Sequence, residues 1–361
     1  MEQTGKGRMP VDGKVPSDAD KNSKSRAHPA KKVPVSFIAA LEQLPPANAA
    51  ALNAHAQAHG FTGLSVSDRF QPWTPSQGQA SFLWNVLAAA GQGTDGHLTG
   101  VAVPGYRMHP AAVAQASASL AAVHPGRHTL VVAPGNAIDE HVTGGYWPEA
   151  PERMARMFDA VEVIRKLFAA SSAGKDTRHA GDHYRLETSR LWTMPDEAPP
   201  LLVWAAGPVT ARRAGRVADG FVTGGAPIEK LEHLLRRFAQ GAREGDRDPA
   251  SSKRVLHLHL SWAATEEEAV SNVITHWPTS VLPLPQADVR SPFEVERLAR
   301  LLRPEHVAGR LLASSDPDKH RAYLQRLLDL GFNELALHNV GPNQREWIEV
   351  FGREVLPGLH T

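Results

Sequence analysis

The chain has 361 residues, 42% hydrophobic and 21% charged, with 39 Lys and Arg against 38 Asp and Glu. That composition is of a folded protein, and the near-zero net charge leaves no global field to select nucleic acid or a membrane surface. Zero cysteines exclude disulfides and thiolate chemistry, no run reaches the roughly 18 to 20 apolar residues of a membrane span, and no signal-peptide stretch opens the chain. The expected setting is the cytoplasm, with a small-molecule substrate and with neither nucleic acid nor membrane as partner.

Residues 1–32 are rich in Lys, Ser, Asp, Gly and Pro and poor in large apolar side chains, so they are expected to be a disordered basic tail. Residues 33–361 then alternate short apolar runs with longer helical stretches, the pattern of a parallel sheet with crossover helices. Strands are expected at 33–39, 61–66, 98–103, 128–133, 200–206, 220–224, 255–262 and 334–338. Helices are expected at 47–59, 110–123, 151–168, 209–218, 228–244 and 317–330. Such a series fits a closed barrel, and periodicity alone leaves an open doubly wound sheet standing. Two stretches, 169–199 and 263–314, exceed what a crossover needs, and long excursions on a barrel build or cover a site.

SVSDRFQPW follows the second strand, and GVAVPGYRMHPAAVAQA spans 100–116. APGNAIDE at 133–140, GDHYRL at 181–186, AAGPVTARRAGRVADGF at 205–221, ASSDPD at 313–318 and LGFNELALHNVGPNQREWIEVF at 330–351 come after them in order. Together these motifs resemble the coenzyme F420-dependent glucose-6-phosphate dehydrogenase group of the luciferase-like oxidoreductases. The resemblance runs from residue 33 to the C-terminus. It implies one α/β domain, a (β/α)8 TIM barrel of the bacterial luciferase type with insertions, and F420 as cofactor, FMN being the alternative; it also allows a homodimer. The deazaflavin ring is then expected against Asp68, Ala102, Val103, Asn136 and Asp139, and its phosphate near Ala205, Ala206, Gly207 and Pro208. Small residues and a proline immediately before a helix do suit an anion, since free N–H groups and the helix dipole face it. An ordinary strand-to-helix turn reads the same way.

The chemistry-bearing positions depart from that group. Its catalytic histidine falls on Arg69, and using a guanidinium as a base near neutral pH would cost about 7 kcal/mol. The glutamate that protonates the reduced ring falls on Asn136, which carries no titratable proton. Asp139 stands for asparagine and Ala102 for serine. An arginine at the barrel mouth suits a carboxylate, a phosphate or a developing enolate oxygen, or it pairs only with Asp68 or another nearby carboxylate. Trp73 matches an active-site tryptophan, or anchors its loop. The phosphate-binding lysines fall on Arg212 and His259; His257, two residues before His259, should share its face of the strand, as a hydrogen-bonded lining with no metal. His109 and Tyr106 are the proton-donor candidates, with helix capping an equal reading of His109. The expected function is an F420H2-dependent reductase that adds hydride to an activated C=C or C=N bond, with Arg69 orienting or polarising the substrate. The alternatives are an alcohol or sugar-phosphate dehydrogenase with a relocated base, an FMN monooxygenase, and a cofactor-free ligand-binding or non-redox barrel.

Overall fold

Short, largely apolar runs, buried along almost their whole length, form the barrel strands of the computed structural model, which describes residues 32–361. Eight parallel strands close a barrel in the order β1-β10-β9-β8-β7-β4-β3-β2. They are β1 (Val35–Ile38), β2 (Gly63–Ser67), β3 (His97–Ala102), β4 (His128–Val132), β7 (Leu201–Trp204), β8 (Gly220–Gly224), β9 (Lys253–Leu260) and β10 (Glu334–Asn339). A separate antiparallel hairpin, β5 (Thr177–Ala180) and β6 (Arg185–Ser189), occupies part of the first long excursion. The closed parallel barrel settles the choice against an open sheet.

The helices are α1 (Pro46–Ala58), α2 (Leu83–Gly91), α3 (Pro110–Val123), α4 (Ala137–Glu140), α5 (Ala150–Ser172) and α6 (Pro208–Val217). They continue with α7 (Ile228–Glu244), α8 (Glu266–His276), α9 (Pro292–Ala299), α10 (Pro317–Leu328) and α11 (Gln344–Val350). Helix α2 was not among the expected helices: LWNVLAAAG is apolar on nearly every side, so it shows little helical period. No helix among the described residues is long and apolar enough to cross a membrane. The tail expected at 1–32 lies outside the described residues except for Lys32, which bridges antiparallel to His360.

Alternation along the strands divides the core into two faces. Leu130 and Val132 pack in one cluster with Val161, Leu167 and other helical residues. Val131, between them, joins Val101, Leu202, Val222 and Val255 in a second cluster drawn from five strands. A third cluster ties the segment 263–314 to the mouth, with Trp277, Val281, Val295 and Val307 packed together with Trp73 and Ile138. Trp147 Nε1 and Arg153 Nη1 both donate to Asp288 Oδ1, at 3.1 and 2.8 Å, and fasten that segment to the start of α5.

Candidate active site

A cavity of about 780 Å³ opens at the C-terminal ends of the strands, where barrel enzymes place reacting groups. Its wall includes Glu42 after β1, Arg69 and Trp73 after β2, Val103 after β3, Asn136 before α4, and His259 on β9. The segment 263–314 contributes Trp277, Gln286 and Arg310, so this excursion does build the site. No residue of 169–199 lines the cavity.

Arg69 is clamped between two carboxylates. Its Nε lies 2.6 Å from Glu42 Oε1, and its Nη1 donates to Asp139 Oδ2 at 2.8 Å. Asp139 is fixed in turn by the backbone N–H groups of Phe70 and Gln71, which donate to its Oδ1 at 2.8 and 3.2 Å. The guanidinium carbon sits 4.8 Å from the centre of the Trp73 ring. Burial alone would lower the pKa of Arg69, but Glu42 and Asp139 outweigh it and raise the pKa above its ordinary value. The guanidinium is therefore a permanent cation whose charge is already matched; Nε meets Glu42 as an ion pair without hydrogen-bond alignment, and Nη2 makes no hydrogen bond among the described residues.

Asp68 does not pair with its neighbour Arg69. Its Oδ2 accepts from Arg107 Nη2 at 2.6 Å, while Oδ1 is buried without a partner. Arg107 also donates to Glu140, through Nη2 at 3.0 Å and Nε at 3.2 Å. Burial raises the pKa of Asp68 against the pull of Arg107. Burial likewise lifts Glu140 to about 7, although Arg107 opposes it. Around the mouth, four carboxylates (Glu42, Asp68, Asp139 and Glu140) thus share two guanidiniums. Among the described residues, two arginines line the cavity, and Arg310 is the one with no carboxylate partner there.

Asn136 lines the cavity, and its side chain makes no capping bond to α4 and no hydrogen bond among the described residues. His257 and His259 both line it, on the same face of β9 as the alternation requires. Burial lowers the pKa of His259 to about 4, with Arg69 adding to the effect, and that of His257 well below 6.5. His259 Nδ1 is 2.9 Å from Nδ1 of His338 on β10, and its ring lies 4.9 Å from Trp277. His257 lies edge-on to Trp204 at 5.3 Å, its Nε2 buried and unpartnered.

Other expected residues are placed elsewhere. Arg212 lies on α6 outside the cavity, where its Nε donates to both carboxylate oxygens of Glu244 on α7 at 3.0 and 2.9 Å. Helical spacing turns it outward, so it is not positioned to bind substrate in the cavity. Tyr106 and His109 also miss the cavity wall, because the chain reverses at Gly105, whose N–H donates to Met108 O at 2.6 Å. Gly105 has φ +117°, and a Cβ there would meet the Tyr184 hydroxyl. Tyr106 packs against Trp147 at 5.1 Å, and burial raises its hydroxyl pKa to about 12. His109 caps α3, accepting from Ala111 N at 3.2 Å; neither residue is placed to protonate a substrate in this cavity. Ala102 is buried behind the wall. Ala205, Ala206, Gly207 and Pro208 lie beyond Trp204 at the start of α6 and do not line the cavity. A Cβ on Gly207 would meet nothing within 4 Å, so the turn faces open space. Sequence reasoning missed Glu42, Glu140 and Arg107 as partners, and His338 behind His259.

Residues 26–334 match the family described as luciferase-like monooxygenase. An F420-dependent glucose-6-phosphate dehydrogenase 1 of Rhodococcus jostii (strain RHA1) is 36% identical over 329 residues, 90% of this chain and 97% of that protein. The F420-dependent glucose-6-phosphate dehydrogenase of Mycobacterium leprae (strain Br4923) is 34% identical, again over 90% of this chain and 97% of its own length. A solved F420-dependent secondary alcohol dehydrogenase, in complex with an F420-acetone adduct, superposes with a TM-score of 0.85. It is 28% identical and covers 92% of this chain and 100% of its own. The F420-dependent tetrahydromethanopterin reductase of Methanopyrus kandleri, 19% identical with a TM-score of 0.74 over 91% of this chain and 99% of its own, shares the fold. Barrel, motif order and relatives agree: the chain belongs to the luciferase-like monooxygenase family.

Proposed function

We propose that this chain is an F420-dependent oxidoreductase that reduces an activated, uncharged C=C or C=N bond. Named relatives and the superposable alcohol dehydrogenase are F420 enzymes, and the site has features that suit the group. A cavity of about 780 Å³ is within the range of cofactor sites. Asn136 offers a free amide and Asp68 a buried, unpartnered oxygen, the kind of vacancies a heterocycle with carbonyl and N–H edges satisfies. In this reading the ring lies against Asp68, Val103 and Asn136, and Gly207 with its neighbours takes the phosphate. When bound, F420 supplies a two-electron hydride carrier.

The observation that carries the reading is the Arg69 clamp. A guanidinium held charged by Glu42 and Asp139 cannot remove a proton, but its remaining Nη2 can donate to a carbonyl oxygen conjugated to the double bond. The clamp also argues against an anion beside Arg69, because Glu42 and Asp139 already match its charge. Reduction needs one proton beside the hydride, and neither Tyr106 nor His109 lines the cavity to supply it. A second reading, oxidation of a neutral alcohol, is favoured by His259, a neutral imidazole on the cavity wall. The test follows F420H2 oxidation with a cyclic enone and a cyclic imine, and F420 reduction with secondary alcohols and glucose 6-phosphate. Turnover confined to the sugar phosphate would refute the proposal.

A further inference from the structure

Three side chains from separate strand ends form a line behind the cavity wall: Gln43 after β1, His338 on β10 and His259 on β9. Gln43 Nε2 donates to His276 O at 3.2 Å and Val340 O at 3.1 Å, which fixes the orientation of the amide. Its Oε1 therefore faces His338 Nε2, at 3.0 Å, and an amide oxygen only accepts. His338 Nε2 must carry the hydrogen. Burial holds His338 neutral, with its pKa well below 6.5 and with His259 and His257 adding to the effect. A neutral imidazole protonated at Nε2 has a bare Nδ1, so His259 Nδ1, 2.9 Å away, must donate to it. The reverse assignment would set Gln43 Oε1 against a bare ring nitrogen.

One consequence reaches the cavity. His259 is itself neutral, hemmed by Arg69, His257 and the Trp277 ring, so with its hydrogen on Nδ1 its Nε2 holds a lone pair. Among the described residues no group hydrogen-bonds to that atom, and the residue lines the cavity. We infer that His259 Nε2 is an acceptor-only contact, wired through His338 by Gln43, and that the substrate presents a hydroxyl or amine N–H to it. This inference rests on the reading of the cavity as the substrate site, and it selects a neutral hydroxy- or amino-bearing substrate over an ether or a tertiary amine. His259 thereby sets specificity, and Gln43 and His338 position it.

Two measurements on the full chain test it. Long-range 15N–1H NMR of 15N-histidine-labelled protein should show His259 with a pyrrole-type Nδ1 and a pyridine-type Nε2, assigned by loss of its signals in His259→Phe. The opposite tautomer in wild type would overturn the wiring. Gln43→Met, which removes the fixed acceptor, should mix the tautomers of His338 and His259; an unchanged spectrum would also overturn it. In the F420-saturated protein, saturation-transfer NMR with cyclohexanol and its methyl ether should show the alcohol binding about fivefold more tightly, a preference that disappears in His259→Phe. No preference in wild type, whether both bind or neither does, overturns the substrate inference. Failure of F420H2 to reduce any substrate would sink the proposed function, whereas the tautomer result stands independently of it.

Discussion

Replacing Arg69 with methionine would strand two buried carboxylates. The side chains of Arg69, Glu42 and Asp139 are 13%, 5% and 3% exposed. Asp139 keeps the Phe70 and Gln71 N–H groups, but the Glu42 carboxylate loses the one partner it has among the described residues. Removing one member of a buried ion pair costs about 3–5 kcal/mol, roughly a 6 °C fall in melting temperature for a barrel of this size. Adding Glu42→Met to the same variant removes the stranded charge and should restore most of the loss. Arg69→Lys separates structure from function: it keeps a cation for the carboxylates but lacks the second planar donor. It should melt closer to wild type while F420H2-linked reduction falls about a hundredfold, the usual cost of losing a positioned donor. Differential scanning calorimetry on all three variants at pH 7, with single-turnover kinetics on the lysine variant, checks both claims. Melting of Arg69→Met within about 1 °C of wild type would refute the charged clamp.

Glu140 gives the pH prediction. Burial raises it from the usual 4.5 to about 7, so between those values the folded state holds a proton that the unfolded chain has released. Stability is therefore greatest below about pH 4.5 as far as this group is concerned, and about 3 kcal/mol is lost as pH rises through 7. Glu140→Gln should flatten that slope in urea unfolding between pH 5 and 8; an unchanged slope would place the titration elsewhere. Gly207→Trp should weaken F420 binding, read by fluorescence, because the open space above the turn would be filled; full affinity would move the phosphate away from that turn. Arg212→Ala, outside the cavity and paired with Glu244, should leave the KM of any substrate unchanged, and a rise of tenfold or so would return Arg212 to the site.

Strand residues were legible because each is a short apolar run whose alternate members pack to opposite faces, as Val131 does between Leu130 and Val132. Arg69, Trp73, Asn136 and His259 were legible as strand-end residues inside ordered motifs, and all four line the cavity. Their partners were not. Glu42 reaches Arg69 only because β1 and β2 are neighbours in the closed sheet. Gln43 meets His338 across 295 residues of chain where β10 closes on β1, and no local pattern marks such a contact. Sequence proximity misled at Tyr106 and His109, where the tight turn at Gly105 carries both off the wall, and at Asp68, whose adjacent arginine bonds elsewhere.

The central claim is that this cavity binds F420 and passes hydride to an uncharged, unsaturated substrate. Anaerobic titration of the full chain with F420H2, followed by a cyclic enone or imine and in parallel by F420 with glucose 6-phosphate, tests it most directly. We expect micromolar or tighter cofactor binding, flavin-type absorbance returning on addition of the enone or imine, and little reduction by the sugar phosphate. Glucose 6-phosphate turnover at about 1 s⁻¹ or faster, with no reaction of enone or imine, would contradict it.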